Sequence, residues 1–196
     1  MIAIVDYGAG NINSVKKAFD YLGAESVVTN KPELILAAEK IVLPGVGHFF
    51  SLRALNINGL REALLQAISA GKPYLGICLG MQWLFDGSEE CSEITGAGLF
   101  PGKCRQFPPS VKSPHVGWNS VSVQESSRLL RGVAPDSFVY YTHSFHAPVV
   151  AAMVAGTQYG LEFAGAVERD NIFGVQFHPE KSGDVGLSIL KNFCEL

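Results

Sequence analysis

Apolar positions along this chain fall into two periods. Ile2 to Tyr7 is an apolar run broken only by Asp6 and closed by the glycine-rich turn GAGN. Ile12, Val15, Ala18, Phe19 and Leu22 then recur at helical spacing. KIVLPGVG predicts a second buried strand ending at Pro44 and Gly45. Leu60, Ala63, Leu64, Ala67 and Ile68 predict a helix packed on a sheet, closed by Gly71 in a left-handed cap. YLGIC predicts a third strand, and MQWLFD the opening of another helix. This alternation implies a parallel sheet with helices on its faces.

From about Gly98 the pattern becomes β-rich. CRQF, VSVQ and SFVYY read as strands, and FAGAVE and IFGVQF read as a hairpin turning at RDN. They are expected to extend the main sheet with antiparallel strands. FPPSVKSPH, with three prolines, reads as a surface loop. A last helix from about Asp184 carries Val185, Ile189, Leu190 and Phe193 on one side. The expected architecture is one α/β domain over residues 1–196 with no interdomain linker. It is a three-layer sandwich with a mixed, mostly parallel sheet, helices on both faces and an antiparallel extension.

Composition narrows the function classes. Apolar residues make up 47% and charged residues 17%, a globular balance. A formal net charge of -3 gives no electrostatic case for nucleic acid or acidic membrane partners. No apolar run approaches the roughly 18 residues of a spanning helix. MIAIVDYG reads as a strand rather than a signal peptide. Cys78, Cys91, Cys104 and Cys194 are far apart in sequence, so reduced thiols, a cytoplasmic location and no metal or cofactor are expected.

The chemistry centres on Gly76-Ile77-Cys78-Leu79-Gly80. Glycine, any residue, nucleophile, any residue, glycine at a strand-to-helix junction is a nucleophile elbow. The turn exposes Cys78 at a helix start, where the dipole is expected to favour a thiolate. The Leu79 N–H is placed as one oxyanion donor. Among five histidines, only His178 has a carboxylate at a suggestive spacing, Glu180 in FHPE. In an extended backbone the two side chains share a face, so Glu180 can fix the His178 tautomer. Pro44-Gly45-Val46-Gly47, at a strand end, can present further N–H groups from Gly45 and Val46.

GICLGMQ, VQFHPE and LPGVG in this order resemble the class I (triad) glutamine amidotransferases. Within that family, DYGAGNINSV, PGVGHF, PHVGWN, THSF and GVQFHPEKSG are similar to the glutaminase subunits of imidazole glycerol phosphate synthases. The resemblance covers essentially the whole chain and implies a Cys78, His178, Glu180 triad. It implies that L-glutamine is bound by Gln82, Glu90, Ser144 and Phe145, with Glu90 meeting the α-ammonium. It further implies that ammonia passes to a (β/α)8-barrel cyclase subunit, with Asn11, Trp118, Asn119 and Lys181 facing that partner. Val116 and Phe145 depart from the usual methionine and tyrosine.

Other readings stay open at the level of residues. They are the glutaminase of anthranilate or guanylate synthesis, a stand-alone γ-glutamyl hydrolase, and an interaction module with Cys78 as redox sensor. The two glycines of PGVG also allow the peptide near Val46 more than one orientation. An oxyanion hole completed only with the partner is therefore expected.

Overall fold

The computed structural model of the chain describes residues 1–124 and 126–196. Its first half alternates as the apolar pattern predicts: β1 (Ile2–Val5), α1 (Ile12–Tyr21), β2 (Ser26–Thr29), α2 (Pro32–Ala37) and β3 (Lys40–Gly45). A 3-10 helix over Phe49–Asn56 leads into α3 (Leu60–Ser69), β4 (Tyr74–Cys78) and α4 (Leu79–Gln82). The second half holds β5 (Gly87–Ser88), β6 (Cys91–Thr95), β7 (Lys103–Gln106), β8 (His115–Val123), β9 (Ser137–His143) and β10 (Phe145–His146). It ends with β11 (Met153–Gln158), β12 (Glu162–Arg169), β13 (Ile172–Val175) and α5 (Gly183–Glu195).

Nine strands form the main sheet in the order β2-β1-β3-β4-β13-β12-β11-β8-β9. Pairing is parallel from β2 to β13 and antiparallel from β13 to β9. Side-chain alternation assigns the two faces. Val42, Leu75 and Ile77 pack with Val15 and Phe19 of α1 and with Ile189, Leu190 and Phe193 of α5. Ile41, Leu43 and Tyr74 pack on the other face with Ile35 of α2 and with Leu60, Leu64 and Ile68 of α3. The result is the expected three layers.

Three local expectations are corrected. CRQF does not extend the main sheet; β7 lies in a separate four-stranded sheet, ordered β10-β7-β5-β6. MQWLFD is not the start of a long helix, because α4 is a single turn ending at Gln82. Trp83, Leu84 and Phe85 are all fully buried, so there is no polar side to face solvent as a helix would require. Their carbonyls instead accept from Ala97, Leu99, Phe100 and Gly98. Finally, the proline-rich loop ends before His115, which opens β8.

Two strands of the main sheet escaped the sequence pattern, as did the short β5, β6 and β10 of the smaller sheet. In β11, Val154, Ala155, Gly156 and Thr157 are all buried, so no alternation marks them. In β2 only Thr29 is buried.

Candidate active site

Parallel β3 and β4 end side by side, with Gly45 opposite Cys78. Cys78 itself adopts φ 53° and ψ -103°, a conformation that costs a non-glycine residue about 1–3 kcal/mol. Packing enforces it. A Cβ at Gly80 would lie 1.8 Å from the Leu43 carbonyl oxygen, and one at Gly76 would lie 2.3 Å from the Gly80 carbonyl oxygen. The two glycines therefore let α4 close down on β3 and β4. Leu79 is the first residue of α4, so its N–H has no partner within the helix.

His178 comes from the segment after β13. Its N–H donates to the Tyr140 carbonyl (2.8 Å), and its own carbonyl accepts from the Ser182 hydroxyl (2.7 Å). Nδ1 of His178 lies 2.9 Å from Oε1 of Glu180, and both side chains are buried. The two are held by a 3-10 turn over Pro179–Lys181, not by the extended backbone expected from the i, i+2 spacing. A Cβ at Gly186 would lie 1.9 Å from the Pro179 carbonyl oxygen, so α5 packs directly beneath the turn.

Burial by itself pushes the His178 imidazole down. The charges of a Cys78 thiolate and of the Glu180 carboxylate, with the Glu180 hydrogen bond, outweigh it and raise the group to about 10. Nε2 of His178 is buried without a hydrogen-bond partner among the described residues. The one-turn α4 carries little of the macrodipole that the sequence reading invoked.

Cys78, Leu79, Gln82, Glu90, Thr142, His143, Ser144 and Phe145 share the wall of one pocket of about 210 Å³, with Gly47 and Pro114 at its rim. It opens outside the carboxyl ends of the parallel strands, where ligands of open α/β sheets bind. A strained buried cysteine, a His-carboxylate pair and a polar pocket together suit nucleophilic attack on a carboxamide.

The family model for glutamine amidotransferase class-I matches residues 3–196. The chain belongs to the class-I glutamine amidotransferases. Relatives of this amidotransferase include imidazole glycerol phosphate synthase subunit HisH of Methanothermobacter thermautotrophicus. That protein is 49% identical over 197 residues, covering 100% of this chain and 98% of the relative. HisH of Methanocaldococcus jannaschii is 45% identical, with 100% of both chains covered. A crystal structure of a glutamine amidotransferase matches all of both chains with a TM-score of 0.78 at 15% identity. PurLQS from Thermotoga maritima gives 0.73 at 18% identity, covering 99% of this chain and 97% of that one. These two likenesses concern the fold.

The amidotransferase pocket gathers most of the residues expected there. Glu90 lines it, and its Oε2 also accepts from the Phe49 N–H (2.6 Å), which anchors the 3-10 helix behind PGVG. Ser144 and Phe145 line it as well. Gln82 is buried, and its Nε2 donates to the Phe145 carbonyl (2.8 Å) and to Oε1 of Gln176 (3.1 Å). Gly45 sits against Leu79, and a Cβ there would lie 2.6 Å from the Leu79 Cβ. Val46 follows it, half-buried, outside the pocket wall that Gly47 lines.

The four residues expected at a partner surface separate. Trp118 is 55% exposed and shares a face with Val116, also 55%, and with Phe138 at 60%. Lys181 is exposed nearby, its ammonium 5.7 Å from the Tyr140 ring centroid. Asn119 points the other way, because adjacent residues of a strand alternate between faces. Its Nδ2 donates to the Gln158 carbonyl (3.0 Å) and reaches Nε2 of His115 (3.3 Å). Asn11 is half-buried and reaches Oε1 of Glu180 (3.3 Å), behind the His178 pair.

His115 and Gln176 were missed as site residues, and His143, which the resemblance places at the glutamine site through its backbone, also acts through its ring. Nδ1 of His143 lies 2.9 Å from the Phe145 carbonyl, an acceptor only, so Nδ1 donates and Nε2 accepts. His115 Nδ1 therefore donates to His143 Nε2 across 3.0 Å. Burial pushes His115 down to about 4 and His143 to about 3, which keeps both rings neutral as this pattern requires. The PHVGWN and THSF motifs held these histidines, but only the cross-strand register of His115 with His143 joins them.

Proposed function

We propose that this chain is the glutamine-hydrolysing subunit of an imidazole glycerol phosphate synthase, which passes ammonia to a (β/α)8-barrel cyclase. The observation that supports it most is that Cys78 and Glu90 line the same pocket. The nucleophile and a carboxylate for the substrate α-ammonium thus face one cavity.

Cys78 gives its proton to Nε2 of His178, and the thiolate attacks the Cδ of glutamine. The developing oxyanion meets N–H groups from Leu79 and the Gly45–Val46 segment. His178 returns the proton to the departing nitrogen and ammonia leaves. A γ-glutamyl thioester remains on Cys78. His178 then takes a proton from water, the hydroxide attacks the thioester, and glutamate is released as the sulfur leaves. Glu180 orients the ring throughout and offsets its charge whenever it is protonated. The face carrying Val116, Trp118 and Phe138 meets the cyclase, since exposed aromatic clusters anchor interfaces. The cytoplasm, where biosynthetic intermediates are retained, is the proposed location.

The test is glutamate release by the purified chain with and without a barrel cyclase subunit. The reading predicts strong stimulation by the cyclase, and none in Cys78→Ala although the complex still forms. Rapid turnover that ignores the cyclase would favour a stand-alone hydrolase.

A further inference from the structure

Gln176 is fully buried one residue beyond β13, with both ends of its side-chain amide engaged. Nε2 lies 3.6 Å from the sulfur of Cys78, within range of an N–H···S hydrogen bond, and Oε1 lies 3.1 Å from Nε2 of Gln82. Which end of an amide donates must be worked out from the network. Here the network has a fixed point. The Phe145 carbonyl can only accept, and it already receives Nδ1–H of His143 and Nε2–H of Gln82. The Gln82 nitrogen is therefore locked towards Phe145, and its second N–H must find an acceptor. That acceptor is Oε1 of Gln176, which leaves the Gln176 nitrogen facing the sulfur.

We propose that Gln176 is a further catalytic residue, donating a hydrogen bond to the Cys78 sulfur and stabilising its thiolate. Gln82 is the positioning residue that fixes the direction of that donor. The proposal rests on the glutaminase reading for its catalytic meaning, but the bond itself is independent of any substrate. In the thiol form, S–H points towards the Thr142 carbonyl, 4.0 Å away. When the proton passes to His178, that contact loses its donor while the Gln176 N–H remains on the sulfur. A bond that strengthens as the sulfur gains charge favours the ionised state.

Four other groups influence the sulfur. His178, backed by Glu180, supplies a positive charge. Tyr7 and Cys104 feel the Cys78 charge but are held neutral by burial. Glu90 lies across the pocket. None of them replaces a fixed neutral donor.

The experiment is the rate of Cys78 alkylation by iodoacetamide as a function of pH, read site by site by mass spectrometry. It needs no glutamine, so failure of the glutaminase reading leaves it intact. In Gln176→Leu the profile is expected to move to higher pH, with alkylation at neutral pH falling about tenfold. The near-isosteric Gln176→Glu should move it at least as far, since a carboxylate cannot donate. Gln82→Leu, which keeps Gln176 but frees its orientation, should move it in the same direction. That variant also serves if Gln176→Leu fails to fold. Folded Gln176→Leu or Gln82→Leu whose profile overlays that of the unaltered chain would overturn the proposal.

Discussion

The triad residues differ in what holds them. Cys78 is held by backbone strain, His178 by main-chain hydrogen bonds to Tyr140 and Ser182, and Glu180 by burial against His178. A buried carboxylate without a charge partner is costly, so Glu180 and the imidazolium depend on each other. Glu180→Gln preserves shape but removes the charge. It should lower cyclase-stimulated turnover by roughly 10²–10⁴-fold with little change in KM, because the loss falls on proton transfer. Steady-state kinetics check this, and a loss confined to KM would contradict it.

The histidines should titrate far apart. Proton NMR is expected to give midpoints near 10 for His178, about 4 for His115 and about 3 for His143. A base whose folded value is lowered binds fewer protons folded than unfolded, so acid favours the unfolded chain. His115 and His143 should therefore withdraw stability as pH falls from about 6.5 towards 4. His178 has the opposite sign: its contribution is present at low pH and lost as pH rises through about 10. Urea midpoints across this range check both limbs. A midpoint flat between pH 6.5 and 4 would contradict the acid limb.

Among the elements, the junction of β4 and α4 carries the sharpest steric demand. Gly80→Ala drives a methyl into the Leu43 carbonyl, which can give way only by moving β3, the strand that ends at Gly45. Thermal or urea unfolding should report a loss of about 1–3 kcal/mol, with activity falling more than stability alone explains. Unchanged stability and activity would refute that packing argument. The same region shows how legibility varied. The elbow could be read because its glycines are local to Cys78, and the first helices because they are amphipathic. β2 and β11 could not, because neither alternates in burial. The His178–Glu180 pair was visible as FHPE, although its geometry is a turn and not a strand. The His115–His143–Phe145 link and the Gln176 contact depend on pairings across 28 and 98 positions, which no local pattern reports.

For the whole molecule, the antiparallel edge of the sheet presents two different faces along β8. One carries Val116 and Trp118 outward, and the other carries Asn119 and the buried His115, which bonds to His143 of the pocket wall. The surface proposed for the cyclase and a network ending at Phe145 and Gln82 thus share one strand. Trp118→Ala should weaken cyclase binding by about 2 kcal/mol, roughly thirtyfold in Kd, while leaving the isolated chain's stability nearly unchanged. Titration calorimetry checks it, and unaltered affinity would remove Trp118 from the interface. No helix among the described residues is long and apolar enough to cross a membrane.

The proposed mechanism makes the sulfur of Cys78 the atom that carries the acyl group. The most direct measurement is acid quenching of the cyclase-bound chain during glutamine turnover, followed by mass spectrometry of the Cys78 peptide. The account predicts a γ-glutamyl adduct on Cys78 that disappears when glutamine is exhausted. Sustained glutamate release with no adduct on Cys78, or undiminished release from Cys78→Ala, would contradict it.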